Sequence, residues 1–300
     1  MRRCFVPLLC VIGLWGRAEE PREIVFCSYN LENFSEGKEP DEASPRGTKR
    51  KSAEAVATQV RIIGEISPDV LGVCEMGSPA MLERFKVELR TAGVDLPHTE
   101  YVEAGDLDRR LALLSRYPIA ARNSQTDLRF EMNGREEQVR RGILDVTLQV
   151  NETYRLRCVG VHLKSKLPVP QGEALVRRFE ARKLREHLDR LLASSPRENL
   201  ICYGDFNDTR NEPVYQQVVG VRGTRGFLTD LPCADSGGDR WTHYWKTADQ
   251  YSRIDFLFAS AGLLPEVNRA RLGVYRSADW NVASDHRPVF TLIRPVESDS

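Results

Sequence analysis

Apolar residues gather along this chain in short runs separated by polar, glycine- and proline-bearing stretches, and the spacing inside each run distinguishes strands from helices. Residues 24–29 predict a first strand, and residues 35–51, carrying Gly37, Pro40, Pro45 and Gly47, predict a loop. Ala53, Val56, Ala57, Val60 and Ile63 then recur at helical spacing, Pro68-Asp69 leads into a strand at 70–74, and a second helix is expected at 79–90. A strand at 111–114 closes on Tyr117-Pro118. From 144 to 150 apolar residues alternate with Asp145, Thr147 and Gln149, the pattern of a half-buried antiparallel strand, with residues 154–161 as its hairpin partner across Asn151-Glu152. Leu175, Phe179, Leu184, Leu188 and Leu191 mark a long amphipathic helix whose other face carries Arg177, Arg178, Arg182, Lys183, Arg185 and Arg190. A solvated face is the expectation there, and contact with an anionic substrate or surface the alternative. Strands at 200–203, 254–258 and 289–293 complete a pattern that no repeat or low-complexity linker divides.

The N-terminal residues stand apart. Arg2 and Arg3 precede an apolar run at 4–15, followed by Gly16-Arg17-Ala18 and the acidic pair Glu19-Glu20, the order of a secretory signal peptide. The run is too short to span a bilayer. Residues 1–18 are therefore expected to be cleaved, which places the mature chain in the periplasm or outside the cell. A membrane-bound or buried N-terminal segment is the alternative, and Leu8-Leu9 before Cys10 lacks the small residue of a lipoprotein cleavage site. Residues 19–300 are expected to form a single domain, and 41% apolar residues are ample for its core.

Removal of residues 1–18 takes three arginines and no acid from a balance of 43 against 43, leaving 40 basic side chains against 43 acidic. That sign argues against long-range capture of a polyanion, although a bound divalent cation supplies positive charge locally in a phosphate site. Five cysteines remain, Cys27, Cys74, Cys158, Cys202 and Cys233, four of them in runs of strand type. Their odd count and wide spacing fit neither a zinc site nor a disulfide-dense scaffold, so buried free thiols are expected, with one disulfide as the alternative.

Chemistry enters at the strand ends. Asn30, Glu32, Glu75, His162, Asp205, Asn207, Asp255, Asp285 and His286 each follow or end an apolar run, where functional side chains collect on a rigid sheet. Taken singly, each has a plain structural explanation: a solvated acid for Glu75, an Asx turn for Asp205 and Asn207, a turn cap for Asp285 and His286. Their local sequences change that. Tyr29-Asn30-Leu31-Glu32-Asn33, Pro68-Asp69-Val70 leading to Glu75, His162-Leu163-Lys164-Ser165, Gly204-Asp205-Phe206-Asn207-Asp208, Arg253-Ile254-Asp255-Phe256 and Ser284-Asp285-His286-Arg287-Pro288 occur in this order, each behind a predicted strand. Together they resemble the endonuclease/exonuclease/phosphatase family, across nearly the whole chain.

The resemblance implies an α/β fold of four layers, two mixed β-sheets packed face to face with helices outside and the site at one end of the sheet pair. It implies a metal-dependent hydrolase of phosphate esters, with Glu75 as the direct metal ligand and Glu32, Asn30 and Asp285 as further oxygen donors. Oxygen-rich, thiol-free coordination favours Mg²⁺ or Mn²⁺. Asp255 would orient His286, which activates water or binds the scissile phosphate; Asp205 is the competing general base. Asn207 and His162 would hydrogen-bond the phosphate or nucleophile. Asn30 and Arg141 would contact the substrate phosphate, Arg140 being an equal claimant to Arg141.

Two departures bear on the substrate. Arg109 stands where the pancreatic-type nucleases carry a glutamate that steadies the histidine matching His162, and Met76-Gly77 replaces their minor-groove arginine. Double-stranded DNA is thereby in doubt. His187 is expected to be exposed on the basic helix, His98 lies in a loop, and the aromatic cluster of Trp241, His243, Tyr244 and Trp245 reads as packing, with stacking on a base or lipid headgroup as the alternative. The leading expectation is a phosphodiesterase acting on nucleic acid or a small diester. A phosphomonoesterase or lipid-headgroup phosphodiesterase is the rival, the latter calling for an exposed apolar hairpin that the sequence does not announce. A silent binding protein on the same scaffold is the third. No protein partner is indicated.

Overall fold

The computed structural model describes residues 22–39 and 49–297, so the expected signal peptide lies outside the described residues. The chain opens with β1 (Ile24–Phe34), α1 (Ala53–Ile66), β2 (Val70–Met76), α2 (Pro79–Thr91), β3 (His98–Val102) and β4 (Arg110–Ser115). It continues with β5 (Ile119–Arg122), the hairpin β6 (Arg129–Met132) and β7 (Arg135–Gln138), β8 (Leu144–Gln149), β9 (Arg155–His162), α3 (Glu173–Ser194), β10 (Leu200–Asp205) and α4 (Pro213–Val219). The last third holds β11 (Thr229–Asp230), β12 (His243–Trp245), β13 (Gln250–Ser252), β14 (Asp255–Ala259), β15 (Gly273–Val274), α5 (Trp280–Ala283) and β16 (Val289–Ile293).

Two six-stranded mixed sheets result, ordered β15-β16-β1-β2-β4-β3 and β11-β14-β10-β9-β8-β5. Their facing sides share one apolar layer that includes Phe26, Val70, Cys74, Tyr203 and Leu257. The outer side of the first sheet packs Leu71, Val73 and Ala112 against Val56 and Ile63 of α1 and Phe85 of α2. The outer side of the second packs Val159, Val161 and Cys202 against Leu184 and Leu188 of α3 and Val218 of α4. Each such side chain withdrawn from water contributes roughly 1.5–3 kcal/mol, and the stack is the four-layer sandwich expected. Tyr203 fills the gap between the sheets because Gly72 and Gly160 face it without side chains. A Cβ on Gly72 would stand 2.0 Å from the Tyr203 ring.

Burial on both faces corrects the alternation read at 144–150. Asp145 on β8 is fully buried, because α3 lies over the side of the sheet that the pattern assigned to water. Its carboxylate accepts two bonds from Arg157, at 2.8 and 2.7 Å, and faces His187 Nε2 at 2.8 Å. His187 is therefore buried, not exposed, and so are Arg177 and Arg185, whereas Leu175 of the supposed apolar stripe is 36% exposed. A helix over a sheet buries a wider arc than its leucines mark, and the charged members of that arc find partners on the strands and loops beneath. The five described cysteines are free and buried.

Candidate active site

Topology brings the chosen residues to one end of the sandwich. β1 and β2 run parallel, as do β9 and β10, so Asn30, Glu75, His162 and Asp205 all lie towards C-terminal strand ends on the same side. β14 and β16 run antiparallel to their neighbours, and so deliver residues at or before their N-terminal ends, Asp255 opposite Asp205 and His286 three residues ahead of β16. Local backbone sharpens the placement. Glu32, Asn33, Glu75 and Asn207 all have positive φ, between 49° and 64°. Such a conformation costs a non-glycine residue on the order of 1–3 kcal/mol, and its concentration at the ends of three strands is characteristic of a functional site.

At the seam, Asn30 Nδ2 donates to Asp205 Oδ2 at 3.1 Å and lies 3.4 Å from His286 Nε2. His286 Nδ1 stands 2.8 Å from Asp255 Oδ2, and its Nε2 faces Asp205 at 3.7 Å and Asp285 at 3.8 Å. A protonated ring donates from Nδ1 to Asp255 and sets its positive charge among three carboxylates, Nε2 lying beyond hydrogen-bond distance of Asp205 and Asp285 and nearest the Asn30 amide. Burial opposes that charge, but Asp255, Asp205 and Asp285 together raise the His286 pKa well above its ordinary value. Burial is also the main reason that the Asp205 carboxyl is pushed up to about 7, against the lowering pull of His286. His162 is the opposite case. Burial, then the charges of Arg141, His286 and Arg109, hold it well below its usual range, and its Nε2 faces Asp205 at 3.4 Å and Glu75 at 3.8 Å. It is a neutral donor through Nε2, with Nδ1 lacking a partner among the described residues.

Glu32, Glu75 and Asp285 make an open electronegative patch near Asn30, close enough to feel one another's charge, although their oxygens do not gather into one cluster as those of Asp205 and Asp255 do at His286. Burial raises the Glu32 pKa, and the charges of Asp285 and Glu75 raise it further, the mutual repulsion expected of neighbouring carboxylates. Two basic residues reach into it: Lys51 Nζ donates to the Glu32 carbonyl at 2.9 Å and to its carboxylate at 3.3 Å, and Arg109 Nε lies 3.7 Å from Glu75. Asn33 N–H donates to Glu75 at 2.8 Å. The donor set, carboxylates and an amide oxygen, suits a hard divalent ion.

Comparison with known proteins gives the family and the fold. Residues 27–286 match the Endonuclease/Exonuclease/phosphatase family, a span running from β1 to His286. The chain belongs to that family. Endonuclease/exonuclease/phosphatase proteins are metal-dependent phosphoester hydrolases, and this chain is an enzyme of that class. No curated protein matches it. Among solved structures, truncated Caenorhabditis elegans TDP2 superposes with a TM-score of 0.62 at 14% identity, covering 91% of this chain and 98% of its own. Sphingomyelinase C from Streptomyces griseocarneus gives 0.59 at 17% identity, with 91% and 100% covered. A family protein from Bacteroides thetaiotaomicron gives 0.58 at 18% identity, with 92% and 98% covered. At such identities the likeness is one of fold.

Several parts of this endonuclease/exonuclease/phosphatase site were not flagged by the motifs. Thr242, fully buried, accepts at Oγ1 from the N–H groups of Ile254 and Asp255, both at 3.1 Å, fixing the start of β14. Ser284 Oγ donates to the Asn30 carbonyl at 2.8 Å and accepts from His286 N–H at 3.0 Å. Gln59 of α1 ties the Leu31 and Ala283 carbonyls together. On the far side, Asn207 Nδ2 and Arg141 both donate to the Leu163 carbonyl, at 3.1 and 3.3 Å, and Arg141 is clamped by Asp106 at 3.1 Å. Arg140, its rival, points outward and is exposed. The basic helix supports these loops from below: Arg177 of α3 bonds Asp208 at 3.1 Å and the Lys164 carbonyl at 3.0 Å.

The aromatic cluster departs from the expectation of simple packing. β12 and β13 form a hairpin beside the site, on which Tyr244 and Tyr251 stack at 4.5 Å while Trp245 and Tyr251 are 45% and 53% exposed. An exposed aromatic hairpin is thus present after all; its tip, from Lys246 to Asp249, is polar, and this masked the feature in the sequence.

Proposed function

We propose that this chain is an exported phosphodiesterase that hydrolyses nucleic acid or a small diester by attack of activated water. The observation that carries the reading is the buried junction of Asn30, Asp205, Asp255 and His286, in which a carboxylate-paired imidazole and a second carboxylate of raised pKa sit side by side across the two sheets. Glu75 and Asn30, with Glu32 and Asp285, would hold Mg²⁺ or Mn²⁺, which supplies positive charge against the phosphoryl oxygens. His286, kept protonated by Asp255, donates from Nε2 to the phosphate. Asp205 takes the proton of the attacking water as its oxygen bonds to phosphorus and the phosphorus–oxygen bond to the leaving group breaks, the departing alkoxide taking a proton from solvent. Asn207 and neutral His162 donate to the phosphoryl oxygens, with Arg141 adding charge from behind His162. The mature excess of acid supports a small or short substrate over long polyanions. Cleavage after Ala18 predicts that exported protein begins at Glu19 on N-terminal sequencing.

A second reading is favoured by one feature, the exposed Trp245 and Tyr251 beside the site, which suit a substrate presented at a lipid surface. One panel decides between them: purified protein with Mg²⁺ against plasmid DNA, RNA, bis(p-nitrophenyl) phosphate, inositol phosphates and sphingomyelin vesicles, beside His286→Ala and Glu75→Gln. Turnover of soluble diesters, lost in both variants, is expected. Cleavage of the vesicles alone would replace the first reading by the second, and turnover indifferent to both substitutions would end both.

A further inference from the structure

Arg109 is a cation at the site to which hydrolysis of a plain diester gives no task. It stands one residue ahead of β4, whose first residue, Arg110, pairs with Met76 of β2. Successive side chains along a strand point to opposite faces. Arg110 turns to the Gly77 carbonyl, at 3.4 Å, and to the Tyr101 ring, whereas Arg109 comes within 3.7 Å of the Glu75 carboxylate. Other arginines around the site are committed: Arg177 to Asp208, Arg253 to Asp230 and Arg287 to Asp235. The Arg109 guanidinium donates no hydrogen bond to any described residue, and its side chain is 32% exposed.

Asp106 fixes where that guanidinium starts. One of its oxygens accepts the N–H groups of Asp108 and Arg109, at 3.1 and 3.0 Å, and the other accepts Arg141 Nε at 3.1 Å. Arg141 gives Nη1 to the Leu163 carbonyl, and its Nη2 donates to none of the described residues. A single carboxylate thus sets two guanidinium groups ahead of β4 and β8, and both charges, after burial, help to hold His162 neutral.

Glu75 does not account for Arg109. Their separation exceeds a hydrogen bond, and once Glu75 holds a divalent ion its carboxylate no longer compensates a guanidinium. Nor does the scissile phosphate of a diester, which carries one negative charge and already has the ion, His286, Asn207 and His162 as partners. A cation held in that place calls for a further anion. Its planar fork of N–H donors, beside a second guanidinium, suits the oxygens of a phosphomonoester.

We infer that Arg109, with Arg141 beside it, binds a second phosphate group of the substrate, so that the preferred diester carries a phosphomonoester next to the bond that is cut. That preference rests on the phosphodiesterase reading, whereas the phosphate subsite stands without it.

Steady-state turnover with Mg²⁺ would compare the dinucleotide thymidylyl-thymidine with its 5′-phosphorylated and 3′-phosphorylated forms, which place the added charge on one side of the scissile bond or the other. For one phosphorylated form, kcat/KM should exceed that of the plain dinucleotide by roughly 10–100-fold in the unaltered chain, the range of a charge-assisted pair. Arg109→Gln should bring that ratio close to unity, and Arg109→Lys, which keeps the charge but loses the fork, should restore part of it. An Arg109 that only offsets the charge of Glu75 would affect all three substrates alike. A ratio unaltered in Arg109→Gln, or no preference in the unaltered chain, would overturn the substrate preference. Calorimetry separates the subsite from the reaction: with Mg²⁺, thymidine 3′,5′-bisphosphate should bind about tenfold or more tightly than either thymidine monophosphate, and Arg109→Gln should remove the difference. Equal affinity for mono- and bisphosphate, or a difference that survives Arg109→Gln, defeats the subsite. Absence of any dinucleotide turnover defeats the phosphodiesterase reading and the preference with it, while calorimetry alone decides the subsite.

Discussion

Asp255 works through charge as much as position, which makes it the residue whose conservative replacement is most informative. An asparagine side chain there would retain the shape and one hydrogen bond to His286 Nδ1, yet lose the negative charge that holds the imidazolium against burial. Asp255→Asn is expected to lower kcat by about 10²–10⁴-fold in the protein that remains folded; a fall below about twofold in steady-state assays with Mg²⁺ would contradict the assignment. At this scale the sequence was highly legible. The motifs ending in Asp205, Asp255 and His286 placed those side chains at strand ends, and the strands converge. The supporting residues were not legible, because Thr242, Ser284 and Gln59 act through hydrogen bonds to backbone groups mostly remote in the chain, and a lone buried hydroxyl or amide has no sequence signature.

Two elements carry strain or charge whose removal should be felt at a distance. β10 ends in Gly204-Asp205, and Gly204 has φ 131°, where a Cβ would lie 1.9 Å from the Val161 carbonyl of β9. Gly204→Ala should therefore part these two strands just where His162 and Asp205 meet. It is expected to cost roughly 2–5 kcal/mol by urea denaturation, and to reduce activity in whatever protein remains folded. The clasp between β8, β9 and α3 is the second element. Asp145→Asn leaves the half-buried Arg157 and the buried His187 without their charged partner, a loss of roughly 1–3 kcal/mol. Burial alone would raise the Asp145 pKa, but bonds from His187 and Arg157 bring it below the ordinary value. Its contribution is complete above the unfolded pKa near ~3.9 and disappears as pH falls through the lower folded value. Thermal melts from about pH 7 down to about pH 3 should show that loss, and Asp145→Asn should remove this part of the acid slope; an unaltered slope would show the clasp contributes nothing. Helix and strand identities followed from periodicity, as α1 and β8 illustrate. Which polar residues turn inward did not, because Asp145, Arg177 and His187 become core residues only once α3 is laid across the sheet.

The assembled molecule relies on packing alone for its covalent simplicity: all five cysteines of the described residues are reduced and enclosed. Burial pushes each thiol up, Cys202 and Cys233 to about 12, so none offers a thiolate at neutral pH. A thiol reagent should label these five only on unfolding, and dithiothreitol should leave the melting temperature unchanged; a reductant-dependent shift would reveal a disulfide. The layered architecture was not readable from periodicity, which cannot say which strand pairs with which; ordered motifs of the family supplied it. No helix among the described residues is long and apolar enough to cross a membrane. The strand order has one further consequence, which concerns timing. Asn30 and His286, 3.4 Å apart in space, are separated by 256 positions, and β16 enters beside β1 after every other strand has been made. A ribosome thus emits most of both sheets before it emits the imidazole, and closing so long a loop is slow. The growing polypeptide stays inert while it is being synthesised, and competence arrives in a single late event.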